Sequence, residues 1–245
     1  MDRLIYTALT GLAARTRSQA VMANNLANAQ TTGFRREIVA AEGRYLTGGA
    51  TPARAQAGAF SVATPRENGK VAATGRALDI ALGGNAWLAI QGPVVAGNPT
   101  EAYTRRGDLD ISTSGILQNG DGRAVLNQNG VPITVAAGAS LTIAPDGTLT
   151  TRTNGIDANI GRLKLVAARA LEKGADGMFT SKDPLPVDPD ARLASGALET
   201  SNVQTAGALA ELVEESRGFE VNARLLTIAK DIDERTARLM AFESN

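Results

Sequence analysis

The sequence predicts an α+β chain in which long N- and C-terminal helices pair as a coiled-coil-like domain, with an all-β domain of short strands inserted between them. Three observations predict it. Apolar and small residues recur at alternating three- and four-residue spacing at both ends of the chain, the pattern of a helical seam. Between them, from Gly75 to about Ser181, short apolar runs are divided by Asn-Gly and Asp-Gly turns, which signal hairpins. Neither terminal seam has a partner nearby in sequence, so each finds its cover at the far end of the chain or on another molecule.

Residues 1–35 form the N-terminal part of this discontinuous domain. Ile5, Leu9, Leu12, Thr16, Gln19, Ala23 and Leu26 keep a four-three alternation, and no charged residue lies between Arg17 and Arg35. A helix without a charged face is poorly suited to solvent. Burial among neighbouring molecules and burial in an ordinary monomer core both satisfy that pattern. The run Leu4–Ala14 lacks a basic n-region and contains Tyr6, Thr7, Thr10 and Gly11. It therefore reads as mature helix rather than as a cleaved signal peptide. Asn24, Asn25, Asn28, Thr32, Gly33 and Phe34 end this part, with Asn28 a candidate left-handed cap.

Residues 36–74 are rich in Ala, Gly, Thr and Pro and lack a period, so they read as flexible or irregular linker. Residues 75–194 are the β-rich domain, a compact barrel or sandwich, ending in an extended, proline-containing return. The C-terminal part, 195–245, carries the second helix. Its seam is Leu209, Leu212, Ser216, Phe219, Ala223 and Leu226. It slips in phase before Ala229, Ile232, Thr236 and Leu239, a change that overwinds a seam locally. Ser201 with Gln204 fits a capping box. A helix from there to Phe242 would span about 60 Å.

Composition removes several kinds of chemistry. Lys plus Arg and Asp plus Glu each total 25, so no net field draws the chain to nucleic acid or an anionic membrane. His and Cys are both absent, which excludes a His-based triad, a thiolate nucleophile, disulfides and the common zinc sites. The scarcity of Lys among the bases suits Arg in fixed interfaces, and a GC-rich genome produces the same bias. Asp108 and Asp110, alternate on a strand, form a candidate carboxylate pair, but no base clusters with them and a solvated strand face accounts for them better. Asn119-Gly120-Asp121-Gly122 lacks the alternating acids and closing Glu of a calcium loop and reads as a turn. These residues imply no catalytic, cofactor or metal site. A glycan-cleaving enzyme on a β scaffold is the remote alternative.

The specific signals lie elsewhere. Asn24-Asn25-Leu26-Ala27-Asn28-Ala29-Gln30-Thr31-Thr32-Gly33-Phe34 resembles the N-terminal signature of the flagellar rod and hook family. Gly196-Ala197-Leu198-Glu199-Thr200-Ser201-Asn202-Val203, followed by Leu212-Val213 and Arg217-Gly218-Phe219-Glu220, is similar to its C-terminal signature. Leu78-Asp79-Ile80-Ala81 and Ala102-Tyr103-Thr104-Arg105 are similar to its β domain. The opening Met1-Asp2-Arg3-Leu4-Ile5-Tyr6-Thr7-Ala8, with Trp87-Leu88-Ala89-Ile90-Gln91, is most similar to the proximal-rod members. Distal-rod or hook subunits are the alternative within the family.

The resemblance implies a structural subunit of the bacterial flagellar basal-body rod, assembling through its termini into an axial drive shaft. Its implied partners are other proximal and distal rod subunits, copies of itself, and the flagellar type III export apparatus. Its implied location is the periplasmic rod, reached without a cleaved signal. The expected assembly residues are Ile5, Leu9, Leu12, Asn24, Asn25, Leu26, Asn28, Thr32, Gly33 and Phe34 at one end. At the other they are Leu198, Glu199, Ser201, Asn202, Val203, Leu209, Leu212, Arg217, Phe219, Leu226, Ile232 and Leu239.

Overall fold

The computed structural model describes residues 2–45, 55–65, 67–95, 97–168, 171–174 and 176–243. Among them are two helices and sixteen short strands, with more residues in strands than in helices. This corrects the predicted architecture: strands dominate the chain, they begin within the stretch expected to be linker, and the first two of them belong with the terminal helices rather than to a separate all-β insert. The physical reason lies in residues 36–74. Their Ala- and Gly-rich sequence has no side-chain period, but backbone pairing needs none, because every N–H and C=O seeks a partner whatever the side chain. Three strands form there, β1 (Ile38–Tyr45), β2 (Ala55–Ala63) and β3 (Val71–Ala73). Residues 46–54 of the expected linker lie outside the described residues.

The chain divides into two compact units. One comprises Met1–Ala29, Arg36–Pro65 and Val203–Asn245; the other comprises Gln30–Arg35 and Arg66–Asn202. The first, the terminal unit, is not purely helical. It holds α1 (Asp2–Ala27), α2 (Thr205–Glu243) and the antiparallel hairpin β1–β2. The hairpin runs in register from Ile38 opposite Ala63 to Tyr45 opposite Ala55, with a shift between Ala41 and Gly43, and it lies against α1. Helix α2 starts just past the expected cap. The Gln204 carbonyl accepts the first helical bond from the Ala208 N–H at 2.8 Å, leaving Ser201 outside the helix.

The second, the β unit, is built on a five-stranded sheet. Its order is β12 (Leu165–Ala167), β5 (Ala86–Val95), β6 (Asn98–Thr104), β14 (Phe179–Thr180) and β13 (Glu172–Lys173). A three-stranded sheet joins β9 (Ser140–Ile143), β10 (Thr148–Thr153) and β11 (Ile156–Arg162), and β7 (Leu109–Ile111) pairs with β8 (Leu117–Asn119). The Asn154-Gly155 signal between β10 and β11 folds as its chemistry dictates. Both residues have positive φ, 52° and 81°, the conformation of the two-residue hairpin turn that matches strand twist.

Two late strands return to early partners. Strand β15 (Leu193–Ser195) pairs with β4 (Ile80–Leu82), and β16 (Ala197–Glu199) pairs with β3. Strand β5 is buried on both faces, which explains its nearly continuous apolar run. Leu88 and Ile90 enter the main core with Ile80, Leu109, Leu117 and Leu149. Ala89 faces a smaller cluster with Tyr103, Val166 and Phe179.

Candidate assembly surface and a buried charge cluster

In the terminal unit the helices display their predicted residues on different faces. The middle of the C-terminal seam turns inward: Leu212, Ser216, Phe219, Ala223 and Leu226 are half-buried and Ala229 is buried. Its two ends turn outward, with Leu209 48% and Ile232 49% exposed. Val213, Val221, Leu225 and Ile228, which lie outside the predicted seam, are about half exposed beside them. Helix α2 therefore carries an apolar stripe in solvent along most of its described length. Arg217 is exposed within the same helix. On α1, Leu12 and Leu26 are half-buried whereas Leu9 is exposed. The side chains of Ile5 and Leu239 lie outside the described residues.

One contact between α1 and α2 was not legible in the seam. Arg15 Nη1 reaches Glu215 Oε2 at 2.9 Å, passing over Gly218. A Cβ on Gly218 would sit 2.8 Å from the Arg15 guanidinium carbon, so glycine makes the notch through which the arginine crosses.

The asparagines at the end of α1 divide their work. Asn28 Nδ2 donates to the carbonyl and side-chain oxygen of Asn24 at 3.0 and 2.9 Å, closing the last helical turn. Asn25 is buried and bonded in both directions to the Glu37 backbone. Its Nδ2 donates to Glu37 O at 2.7 Å, and its Oδ1 accepts from Glu37 N–H at 2.9 Å. The amide so imitates a neighbouring strand and holds the start of the hairpin to the helix end.

The remaining signature residues converge inside the β unit. Glu199, at the end of β16, is 1% exposed. Its Oε2 lies 2.5 Å from Arg105 Nη2 and accepts from Arg105 Nε at 2.7 Å. Its Oε1 lies 3.1 Å from Arg35 Nη2 and accepts from the Gly69 N–H at 2.8 Å. Arg105 places its other donors on the carbonyls of Leu82, Gly84 and Ala86 at 2.6–3.0 Å. The guanidinium fork suits such multiple, planar recognition. Arg35 donates to Glu67 O and to Asn68 Oδ1, the latter at 2.6 Å. Burial pushes the Arg35 guanidinium down to about 10; Glu199 opposes that shift and the like charge of Arg105 adds to it.

Around this cluster the 30–35 segment is bound by its backbone. The Gly33 N–H donates to Glu199 O at 2.8 Å, and the Asn202 N–H donates to Phe34 O at 3.3 Å. Gly33 has φ +66° and its absent Cβ would stand 2.4 Å from the Arg105 carbonyl carbon, so only glycine fits there. Lys173 Nζ stands 4.1 Å over the Phe34 ring and donates to Arg35 O at 2.9 Å. Thr32, Leu198, Ser201 and Val203 are half-buried.

Arg15, Arg35, Arg105 and Lys173 were missed as site residues because their partners are remote in sequence. No local pattern marked them, since each stands beside or near other charges, as Arg105 does before Arg106. Asp108 and Asp110 are not brought together as an acid–base pair. Asp108 is bridged by Arg106 Nε at 2.8 Å, Arg106 also reaches Asp121 at 2.5 Å, and Asp110 Oδ1 accepts from the Ile111 N–H. Asp108 and Asp121, hydrogen-bonded to Arg106, hold its guanidinium above its ordinary range.

Exposed apolar residues along α2 and a β unit cross-tied by buried charge suit a structural, assembly-forming class of protein. Comparison with known proteins agrees. The family model for flagellar basal-body rod proteins matches residues 5–35, that for the FlgE/F/G hook-protein D1 domain matches 81–151, and that for the FlgEFG C-terminal region matches 194–239. The flagellar basal-body rod protein FlgF of Escherichia coli K12 is 36% identical, over 99% of this chain and 100% of the relative. FlgF of Salmonella typhimurium is 34% identical, with the same coverage. FlgG of Bacillus subtilis is 28% identical, over 95% of this chain and 97% of the relative. The chain belongs to the flagellar basal-body rod family. It is a structural subunit of that rod, not an enzyme, and resembles FlgF.

Proposed function

We propose that the chain is a proximal-rod subunit that packs against other rod subunits and copies of itself through its terminal helices, and that it passes torque along the axis. It reaches the periplasmic rod through the flagellar export apparatus, with its N-terminal segment retained. The observation that carries this reading is the solvent-facing apolar stripe of α2, with Val213, Val221, Leu225, Ile228 and Ile232 each about half exposed. Large apolar side chains exposed repeatedly along one helix ask for a protein partner. Repeated head-to-tail contacts of one surface with another generate an open helical filament, the form a shaft requires.

Imaging of purified basal bodies carrying a tagged copy tests the placement. Label at the membrane-proximal end of the rod is expected. Label in the distal rod, or in the hook, overturns the proximal assignment.

A further inference from the structure

The β unit, Gln30–Arg35 with Arg66–Asn202, is entered or left by the chain at four points: before Gln30, after Arg35, before residue 66 and after Asn202. All four lie within a few residues of one cluster. Gly33 is tied to Glu199 O, and Asn202 to Phe34 O. Arg35 is tied to Glu67 O, to Asn68 and to Glu199. Asn202 Nδ2 closes the set by donating to Glu67 O at 2.8 Å. Beneath them Arg105, 1% exposed in its side chain, fixes Glu199 to the carbonyls of β4 and β5.

We infer that Arg35 is a positioning residue for the mechanical role of the subunit. Through Glu199 and Arg105 it binds the four exits of the β unit into one rigid patch, so that force entering along any one of them spreads over the core sheet. The inference rests on the reading of the chain as a torque-transmitting rod subunit. Stability alone does not account for the cluster, because apolar side chains of similar volume commonly serve as well as a buried ion group. Such a group supplies direction. Each guanidinium N–H fixes one distance and one angle, and an apolar contact fixes neither. Exits joined only by packing can slide under shear, and exits joined by an Arg–Glu–Arg bridge cannot slide without breaking charged bonds.

The test replaces Arg35 in the full chain, in cells lacking the native copy. Arg35→Met removes the ties to residues 67–68 and 199 while the Arg105–Glu199 pair remains. Arg35→Lys keeps a charge but presents a single ammonium that cannot span the three partners together. Rod content of purified basal bodies and rotation of tethered beads at low and high viscous load are measured for each. The expected result is wild-type rod content, normal rotation at low load and loss of rotation at high load in Arg35→Lys, with a deeper loss in Arg35→Met. Amide exchange in the purified variants should speed up together at Gly33, Gly69 and Asn202. Wild-type rotation at high load, with those amides exchanging faster, overturns the inference. So does a uniform loss of rotation at every load. Absence of the wild-type chain from basal bodies overturns the rod reading instead, and is seen in the control before any variant is examined.

Discussion

At the scale of single residues, Glu199 is the position on which most depends. Truncating it leaves Arg35 and Arg105 buried without their carboxylate, and breaking a buried ion pair on one side typically costs about 3–5 kcal/mol. Glu199→Ala should therefore lower the denaturation midpoint of the β unit sharply, a shift that urea titration followed by Trp87 fluorescence reads directly. A midpoint within error of wild type would contradict the arrangement. Tyr103 gives a prediction of another kind. Its hydroxyl accepts from the Leu185 N–H at 2.8 Å, and burial pushes its phenol up to about 12. A folded pKa above the unfolded one means that the native state holds the proton longer. This contribution is therefore complete below about pH 10, where the unfolded phenol ionises, and is lost as pH rises through about 12. Tyr103→Phe should flatten that alkaline decline, as measured by unfolding midpoints at successive pH values.

At the scale of elements, the sequence was legible where pattern is local. The Asn154-Gly155 turn and the alternation in β9 and β10 follow directly from residue type. The two helices were also legible, but which of their faces is covered was not. Seam spacing put Leu209 and Ile232 on one face with Leu212, Phe219 and Leu226, and the fold leaves the first two about half exposed while half-burying the other three. Spacing fixes which residues share a face, and the neighbours supplied by the rest of the chain decide which face is covered. The hairpin β1–β2 is such a neighbour, hidden in an Ala- and Gly-rich stretch whose pairing depends on backbone bonds. A prediction at this scale concerns the outer stripe. Leu225→Asp with Ile228→Asp should leave α2 helical, because both sites face solvent, and should abolish incorporation into basal bodies. Circular dichroism and rod content measure the two effects, and normal incorporation would show that the stripe is not an assembly surface.

At the scale of the whole molecule, the two units differ in how they are held. The β unit has a contiguous core with Ile80, Leu88, Ile90, Leu109, Leu117 and Leu149 each 0% exposed. Among the described side chains of α2 only Ala208 and Ala229 are buried, and less fully, at 9% and 8%. Fewer buried apolar contacts mean easier local opening. Limited proteolysis of the soluble chain should therefore cut within 205–243 before it cuts within 80–165, as mass spectrometry of the first fragments would show. Early cleavage in the β unit with the helix intact would reverse this order. The buried charge cluster was the least legible feature at any scale, since its members stand at positions 35, 105 and 199 and nothing local joins them.

That separation has a consequence for the order of events as the chain acquires its shape. Glu199 supplies the carboxylate for arginines lying 94 and 164 positions earlier, while β15 and β16 close onto strands laid down more than a hundred residues before them. Contacts so distant in sequence form late and slowly. The β unit therefore cannot close until nearly the whole chain is available to fold, and it locks only once residue 199 joins its two arginines. The timing of folding is thus written into where one acid sits along the chain.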